Sequence, residues 1–257
     1  MKEGVRFATT SKELQAAYQL RYKVYVESMG RLRDKADHNS KELHDEYDKT
    51  ARALIAIKAG TPVGTLRLFW GGDAPFSQSM IKAYHLTPFM KQLDESQVCI
   101  IERLMVCEKH RGSITALRMY KEVMHFVIDH QAEVVLLDCE PHHLNSYLKL
   151  GFRPFTGTYD YPGIGPVIPM ALITGDYEHL ERVGSPFALL LREEDLSHCR
   201  HVNKLRRIIE HESKTVNQSL GNNIELFHHY YNVRNKLYDK SQQVSDSRLR
   251  MKLTAYA

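Results

Sequence analysis

The sequence predicts a mixed α/β (α+β) fold, in which a central β-sheet is flanked by helices and followed by a helical C-terminal extension. Short apolar runs rich in β-branched residues alternate with amphipathic helical segments as far as Gly175. Beyond that point only helical patterns follow. The 257 residues therefore divide into a predicted domain over 1–175 and an extension over 176–257. An apolar content of 43% supports a substantial core.

The N-terminal part begins with a helix and continues with a charged loop and two strands. Ser11 can cap a helix over residues 11–29, where apolar residues recur on one face. Residues 31–49 are strongly charged and predict a loop that can be mobile or can fold over a site. Residues 51–57 and 63–69 are apolar runs around a short turn that contains a glycine, which predicts a β-hairpin.

The segment from Gln97 to Leu150 carries the strongest pattern. Its first part, residues 98–106, has the composition of a buried strand, yet Glu102 and Arg103 interrupt it. Because an unpaired buried ion is costly, charge in such a strand points to a function. A basic turn over residues 109–113 follows, and then a helix with apolar residues three and four positions apart. A strand, a basic turn and a helix N-terminus form a natural cradle for a phosphate group.

The remaining elements continue this alternation and then give way to helices. Residues 71–97 are a polar insertion with room for a short helix. The predicted elements after the central helix are strands at 134–137, 152–161 and 167–173, a helix at 142–150 ended by Gly151, and extension helices at 176–183, 193–212 and 224–240.

Charge narrows the range of partners. A net charge of +4 with a pI near 8.7 is too weak to indicate nucleic-acid binding, although it suits an acidic partner or a phosphorylated cofactor. The N-terminus lacks an apolar signal region, and no apolar run approaches the ~20 residues that span a bilayer. We therefore expect a cytoplasmic protein without an integral membrane segment.

Cysteine and histidine usage predicts no disulfide framework and no metal site. The four cysteines show no C-x-x-C spacing, so reduced core thiols are expected. The doublets His142-His143 and His228-His229 lack further ligands at metal spacing and are interpreted as surface or packing residues.

Two motifs connect the central segment to a known superfamily. Val106 to Gly112 reads V-x-x-x-x-R-G, and Asn145 to Phe152 reads N-x-Y-x-x-x-G-F. The segment resembles the acyl-donor core of the GNAT N-acyltransferase superfamily, which implies a mixed, mostly antiparallel central sheet. The superfamily usually has a second glycine in the donor turn, but here Ser113 is followed at once by Ile114. This departure suggests an altered donor.

Four motifs in the first half of the chain extend the resemblance. Their order resembles that of the acyl-homoserine-lactone synthases and, more closely, the N-acyl amino acid synthases, over about residues 6–174. Both groups take a long acyl chain from acyl carrier protein. The motifs are RYKVYVE at Arg21 to Glu27, DEYD at Asp45 to Asp48, GTLRL at Gly64 to Leu68 and ERLMV at Glu102 to Val106.

The resemblance implies a substrate-binding set on the acceptor side. If the acceptor is an amino acid, its carboxylate needs a guanidinium partner. The structural alternative for Arg21, Asp45, Asp48 and Arg103 is an ion-pair network that pins the N-terminal part of the chain. The set comprises Arg21, Asp45, Asp48, Arg67 and Arg103.

The predicted base departs from the pattern of these relatives. They usually carry a glutamate three residues before the arginine of the strand, where this chain has Ile100. Glu102 stands two residues later, and residues two apart in a strand point to the same face. We expect Glu102 to act as the base, directly or through water, because an amine with a pKa near 8 needs only a weak one.

The resemblance also implies residues that hold the acyl donor. The backbone amide of Val106 would polarise the thioester carbonyl, and Tyr147 would stand near the leaving thiolate, with packing alone as the alternative for this tyrosine. The predicted donor-binding residues are Leu104, Arg111, Gly112, Ser113 and Phe152.

The leading functional hypothesis is an N-acyltransferase that moves a long acyl chain from acyl carrier protein to the amine of an amino acid or similar small amine. No tightly bound cofactor is expected, and the co-substrate would be an acyl-carrier-protein or acyl-CoA thioester. One alternative is a small-molecule N-acetyltransferase that uses acetyl-CoA. The other is a catalytically silent module of this fold that binds an acyl ligand or a partner.

Overall fold

A computed structural model of the chain describes residues 1–219, so the predicted helix at 224–240 lies outside the described residues. Eight strands form one sheet. The strands are β1 (Gly4–Phe7), β2 (Arg52–Lys58), β3 (Thr61–Trp70), β4 (Val98–Val106), β5 (Val134–Cys139), β6 (Arg153–Pro154), β7 (Tyr159–Tyr161) and β8 (Gly165–Ile173).

The sheet is mixed and mostly antiparallel, which confirms the predicted fold class. Its order is β1-β2-β3-β4-β5-β8-β6, and β7 pairs with the beginning of β8. Among the described strands, only β4 and β5 run parallel, and helix α4 (Thr115–Asp129) makes the crossover between them. A parallel pair needs such a crossover, since a tight turn can join only antiparallel strands.

Helices cover both faces of the sheet. The helix that begins at Ser11 runs as far as predicted, although it changes from α-helix to π-helix at Tyr22 and continues to Ser28. The other α-helices are α2 (Gln78–Ala83), α3 (Thr87–Met90), α5 (Leu144–Leu150), α6 (Tyr177–Arg182), α7 (Pro186–Leu191) and α8 (Val202–Ser219), with α1 at Ser11–Arg21.

The first part of the C-terminal extension contributes to the core on both faces. Phe187 of α7 packs in the larger core cluster, which also holds the apolar face of α4. Leu205 and Ile209 of α8 pack in the second cluster with Phe155 and Ile173, on the opposite face. The apolar faces of these helices therefore complete the burial of the sheet.

Three predictions about elements were wrong. The strand expected over 152–161 is reduced to β6 and β7, because Pro154 lacks an amide donor and Gly157 disfavours extended pairing. The helix expected from residue 193 begins only at Val202, because the Asp195 carboxylate accepts the Ser197 N–H at 2.9 Å and holds a turn instead. Strand β1 and helix α7 were not predicted.

The four cysteines carry free thiols, but they are not all core residues. Cys99 and Cys139 are buried in strands as expected, whereas Cys107 and Cys199 are half-buried and lie outside strands. Over residues 1–219 there is no helix with the length and apolar character that crossing a bilayer requires.

Candidate active site

Strands β4 and β5 part in the middle of the sheet and leave a gap. Their pairing ends at Ile101 and Leu137. On the other side of β4, the register with β3 shifts so that Arg103 and Leu104 together oppose Leu66, which is a β-bulge. Arg103 adopts a left-handed φ of 51°, a conformation that non-glycine residues seldom take outside strained or functional positions. The bulge bends β4 away from β5.

A cavity of about 920 Å³ surrounds this gap. It extends to both faces of the sheet, because its walls include Met80 from α2 on one face and Leu117 from α4 on the other. The π-helical segment contributes Tyr25, and the hairpin of β7 and β8 contributes Tyr159 and Ile164. Segments of π-helix occur frequently at functional sites.

An ion-pair cluster occupies one side of the gap. Its centre is Arg67 of β3, which is 1% exposed. The Nε of Arg67 donates to Glu102 Oε2 at 2.9 Å, and its Nη1 donates to Asp45 Oδ1 at 2.6 Å and to Asp48 Oδ2 at 3.2 Å. The phenol of Tyr84 donates to the other oxygen of Glu102. Both carboxylate oxygens of Glu102 are therefore occupied.

The two other predicted arginines join this cluster but keep unused donors. Arg21 is fully buried and donates from Nη1 to Asp48 at 2.7 Å, while its Nε and Nη2 have no hydrogen-bond partner within residues 1–219. Arg103 donates from Nη2 to Asp45, and its Nη1 likewise has no partner among the described residues. Arg103 lines the cavity, whereas Arg21 lies behind it. The structure thus brings all five predicted substrate-binding residues together with Glu102.

The loop that carries the two aspartates is built locally. Asp45 accepts the Tyr47 N–H, and Asp48 accepts the Asp45 N–H, so the pair caps a 3-10 turn at Glu46–Lys49. This capping orients both carboxylates toward β3. The charged loop therefore folds over the site, which is one of the two arrangements that its composition allows.

The opposite side of the gap contains backbone groups and a helix N-terminus. The N–H of Cys107 donates to Val63 O of β3 at 2.8 Å. Because amide groups alternate between the two edges of a strand, the N–H of Val106 points to the edge facing the gap. Arg111 Nε donates to the Val106 carbonyl at 3.3 Å, and Arg111 and Leu104 both line the cavity.

The turn before α4 uses Gly112 and Ser113 in different ways. Gly112 has φ +74° and open space where a Cβ would stand. The Ser113 hydroxyl donates to the His110 carbonyl at 2.6 Å and accepts the Thr115 N–H at 3.3 Å, so it caps the start of α4. The other first-turn N–H groups of a helix have no intrahelical acceptor and favour an anion.

Tyr147 lines the cavity and is held by a second tyrosine. The Tyr120 hydroxyl donates to the Tyr147 oxygen at 3.0 Å, which leaves the proton of Tyr147 available as a donor. Burial raises the pKa of Tyr147, so its hydroxyl stays protonated at neutral pH. Phe152, predicted to contact the donor, is 1% exposed in the core and packs edge-on against Tyr147 at 5.8 Å.

The cavity-wall residues that sequence reasoning missed include three with polar groups at the gap: Tyr84, Asp138 and Tyr159. Tyr84 lies in the polar insertion, where no pattern marks it. Asp138 follows the predicted strand at 134–137 directly, and a carboxylate at the end of a buried strand was a usable signal. Tyr159 lay inside a strand that was predicted too long, so the face of the sheet on which its side chain lies could not be predicted.

Comparison with known proteins gives matches in sequence and in fold. The model of the family described as N-acyl amino acid synthase FeeM matches residues 16–173. The L-ornithine N(alpha)-acyltransferase of Rhodobacter capsulatus is 27% identical over 140 residues, which are 51% of this chain and 53% of that protein. The chain thus spans about half of the length of this relative.

Two solved structures share the fold. The first is FeeM, an N-acyl amino acid synthase from uncultured soil microbes, with a TM-score of 0.56 and 14% identity over 74% of this chain and 97% of that chain. The second is the CoA-dependent acyl-homoserine lactone synthase BjaI with MTA, with a TM-score of 0.54 and 17% identity over 72% of this chain and 91% of that chain. At such identities the likeness establishes the fold alone.

The family model covers more than half of the sequence and includes the whole of the gap between β4 and β5. The family and the relative that acts on ornithine both indicate the enzyme class. The chain therefore belongs to the N-acyl amino acid synthase FeeM family, a family of acyltransferases.

Proposed function

We propose that this protein transfers a long acyl chain from the thioester of an acyl carrier protein to the amine of an amino acid or a similar small amine. The observation that carries the proposal is the gap between β4 and β5, which joins an anion-binding turn on one side to an ion-pair cluster on the other. A thioester that entered from the side of Arg111 would present its carbonyl carbon to an amine beside Glu102.

The size and lining of the cavity favour a long acyl group. Its volume of about 920 Å³ lies near the upper end of the roughly 300–1,000 Å³ typical of ligand pockets. Apolar side chains line it on both faces of the sheet, among them Met80, Leu104 and Leu117. An acetyl group would leave most of this apolar surface uncovered, whereas burying a long chain gains about 0.8 kcal/mol per methylene.

The arginine at the bulge suits an acceptor that carries a carboxylate. The unpartnered Nη1 of Arg103 is a buried donor at the cavity wall, and leaving such a group unsatisfied is costly. Arg21, Arg67, Asp45 and Asp48 would hold this side rigid rather than contact the reacting atoms. We assign the carboxylate of the acceptor to Arg103.

The donor side supplies the remaining chemistry. The N–H of Val106 would donate to the thioester oxygen and stabilise the negative charge that develops there. Tyr147 would give its proton to the departing thiolate. Arg111, Gly112 and Ser113 would hold the pantetheine phosphate, Leu104 would pack on the thioester arm, and Phe152 would fix the ring of Tyr147.

Glu102 suits the role of a fixed negative charge beside the amine. Arg67 and Tyr84 donate to its two oxygens, so the carboxylate is held in one position. The predicted role of Glu102 as the base stays a prediction, which the pH dependence of Glu102→Gln tests.

Exposed cations near the donor turn favour a protein-bound donor. Lys109, Arg111, Arg118 and Lys121 are exposed on the turn and on the first two turns of α4. Acyl carrier proteins present an acidic surface, which such a patch would attract. Free CoA would use fewer of these cations, since Arg118 and Lys121 lie along the helix beyond its N-terminus.

The decisive experiment compares donors and acceptors with the purified protein. Acetyl, lauroyl and palmitoyl thioesters of acyl carrier protein and of CoA are each paired with amino acids and with the decarboxylated amines, and products are read by mass spectrometry. We expect amide from the long-chain carrier-protein donors with amino acids. Fastest turnover with acetyl-CoA would instead identify an acetyltransferase, and no product from any pair would identify a silent binding module.

A substitution at the bulge separates acceptor recognition from chemistry. Arg103→Met should lower kcat/KM for the amino acid by about 10- to 100-fold, as expected for loss of a hydrogen bond to a charged group. It should leave kcat/KM for the decarboxylated amine within a few-fold of the wild-type value. Equal losses for both acceptors would contradict the assignment of the carboxylate to Arg103.

A further inference from the structure

A second carboxylate stands at the mouth of the gap, opposite Glu102. Asp138 follows Leu137, the last residue of β5 that pairs with β4, just as Glu102 follows Ile101. Glu102 and Asp138 are therefore the first residues beyond the point where β4 and β5 stop pairing. Side chains alternate along a strand, so both lie on the face of Ile100 and Leu136, away from α4. Asp138 lines the cavity.

The contacts of Asp138 differ from those of Glu102. The Tyr159 hydroxyl donates to Asp138 Oδ2 at 2.5 Å, while Oδ1 is buried and has no hydrogen-bond partner within the part of the chain that the structure describes. Glu102 has donors on both oxygens. Of the two facing carboxylates, Asp138 therefore has the free acceptor atom.

The surroundings of Asp138 set its protonation. Burial raises the pKa of Asp138, the hydrogen bond from Tyr159 lowers it, and the charge of Glu102 raises it, with a balance at about 7. Other titratable groups near it include Tyr84, Tyr161 and Cys139, which are neutral at that pH because burial raises the pKa of each phenol and of the thiol. A base is most effective when its pKa lies near the working pH.

We propose that Asp138 is the catalytic base of this enzyme, which binds the ammonium group of the acceptor and takes its proton. The inference rests on the proposed function. Two carboxylates whose surroundings differ in this way are a common arrangement for dividing the roles of fixed charge and proton acceptor. Glu102 supplies the fixed charge, and Asp138 accepts the proton.

In the proposed reaction, Asp138, Tyr147 and solvent exchange every proton that moves. The ammonium gives one proton to the Asp138 carboxylate, and the freed lone pair forms a C–N bond with the thioester carbon. The C–S bond of the resulting tetrahedral intermediate breaks, and the thiolate leaves as a thiol with the proton from Tyr147. The nitrogen loses a second proton, which restores Tyr147, and Asp138 returns its proton to solvent.

The test is the dependence of kcat/KM on pH, with the full chain and the best donor and acceptor pair. The wild type should show an acid limb with an inflection at about pH 7. Asp138→Asn should lose at least about 100-fold in kcat. The limb should disappear, which leaves only the limb that reports deprotonation of the acceptor amine itself. The KM for the donor should stay within a few-fold.

Two further variants distinguish Asp138 from its neighbours. Tyr159→Phe removes a hydrogen bond that lowers the pKa of Asp138, so the acid limb should move to higher pH. Glu102→Gln removes a charge that raises this pKa, so the limb should move to lower pH. Retention of the limb in Asp138→Asn together with its loss in Glu102→Gln would overturn the proposal and return the role of base to Glu102.

A measurement that needs no turnover tests the role of Asp138 independently of the proposed function. Carbon NMR of protein labelled at aspartate carboxyls, with Asp138→Asn for assignment, should show one carboxyl that titrates at about pH 7. If no donor and acceptor pair gives product, the proposed function fails. A carboxyl of Asp138 that instead titrates below about pH 5, near the ordinary range for aspartate, overturns the role of base independently.

Discussion

At the scale of single residues, the site depends on how Arg67 is neutralised. Its guanidinium is almost wholly buried between Glu102, Asp45 and Asp48. Burial alone would lower the pKa of Arg67, but the charges of the three acids outweigh this effect and raise it. A buried ion is tolerated only with such partners, because its desolvation is costly.

This arrangement makes a prediction for the stability of the site. Arg67→Met should lower the free energy of unfolding by about 3–5 kcal/mol, since three buried or half-buried acids lose their common partner. Urea denaturation at neutral pH measures the change. The matched control is Arg52→Met on the neighbouring strand, where an exposed ion pair with Asp73 is worth less than about 1 kcal/mol. Equal losses in the two variants would contradict the central role of Arg67.

At the scale of elements, the bulge in β4 and the turn before α4 form the two sides of the gap, where we propose that acceptor and donor bind. The bulge frees the N–H edge of β4 from β5 and turns Arg103 toward Asp45. The turn presents the N-terminus of a helix of 15 residues to the same gap. Residues of β4 and of the turn before α4 both line the cavity, so the cavity depends on the two elements together.

The turn before α4 allows a prediction in which a second glycine of similar backbone conformation serves as the control. Gly112 and Gly60 both have positive φ, at +74° and +70°, and both have open space where a Cβ would stand. Alanine at either position should cost about 1–2 kcal/mol of stability through backbone strain. Only Gly112→Ala should raise the KM for the acyl donor, because Gly60 lies in the remote turn between β2 and β3. Steady-state kinetics measure the difference, and an unchanged donor KM would remove Gly112 from the donor site.

At the scale of the whole molecule, a buried acid ties the start of the extension to the sheet. Asp176 is 1% exposed and pairs with Arg153 of β6 at 2.8 Å and with Arg206 of α8. Burial would raise the pKa of Asp176, but the hydrogen bond from Arg206 and the charge of Arg153 lower it to about 2. Asp176 is the first residue of the predicted extension. The predicted boundary after residue 175 therefore separates Asp176 from its partner Arg153 in the preceding domain.

The lowered pKa makes stability depend on pH in a defined direction. The folded protein holds Asp176 ionised more strongly than the unfolded chain, so its contribution is complete above about pH 4 and is lost as the pH falls toward about 2. Asp176→Asn should remove about 2 kcal/mol at neutral pH and flatten this dependence. Chemical denaturation at several pH values measures both effects. Glu178→Gln, at the exposed partner of Arg206, should change neither.

Much of the fold and several site residues could be predicted from the sequence. The strand at Val98–Val106 and the amphipathic helix after it are determined locally, because their periodicity and their flanking turns leave one arrangement. The charged positions Glu102 and Arg103 were visible as ions in an apolar strand. Such signals are short-range, so they identified the central segment, while the class of chemistry came from the resemblance of its motifs to the GNAT superfamily.

The tertiary structure alone decided which charged groups face one another and which of them already have hydrogen-bond partners. No local pattern shows that Arg67 and Tyr84 occupy both oxygens of Glu102 while one oxygen of Asp138 has no partner. Contacts between residues far apart in the chain decide which residues a bulge displaces. They also decide how deeply a side chain is buried and where an insertion packs. Electrostatic roles follow from those contacts, because the surroundings of an ionisable group determine its protonation.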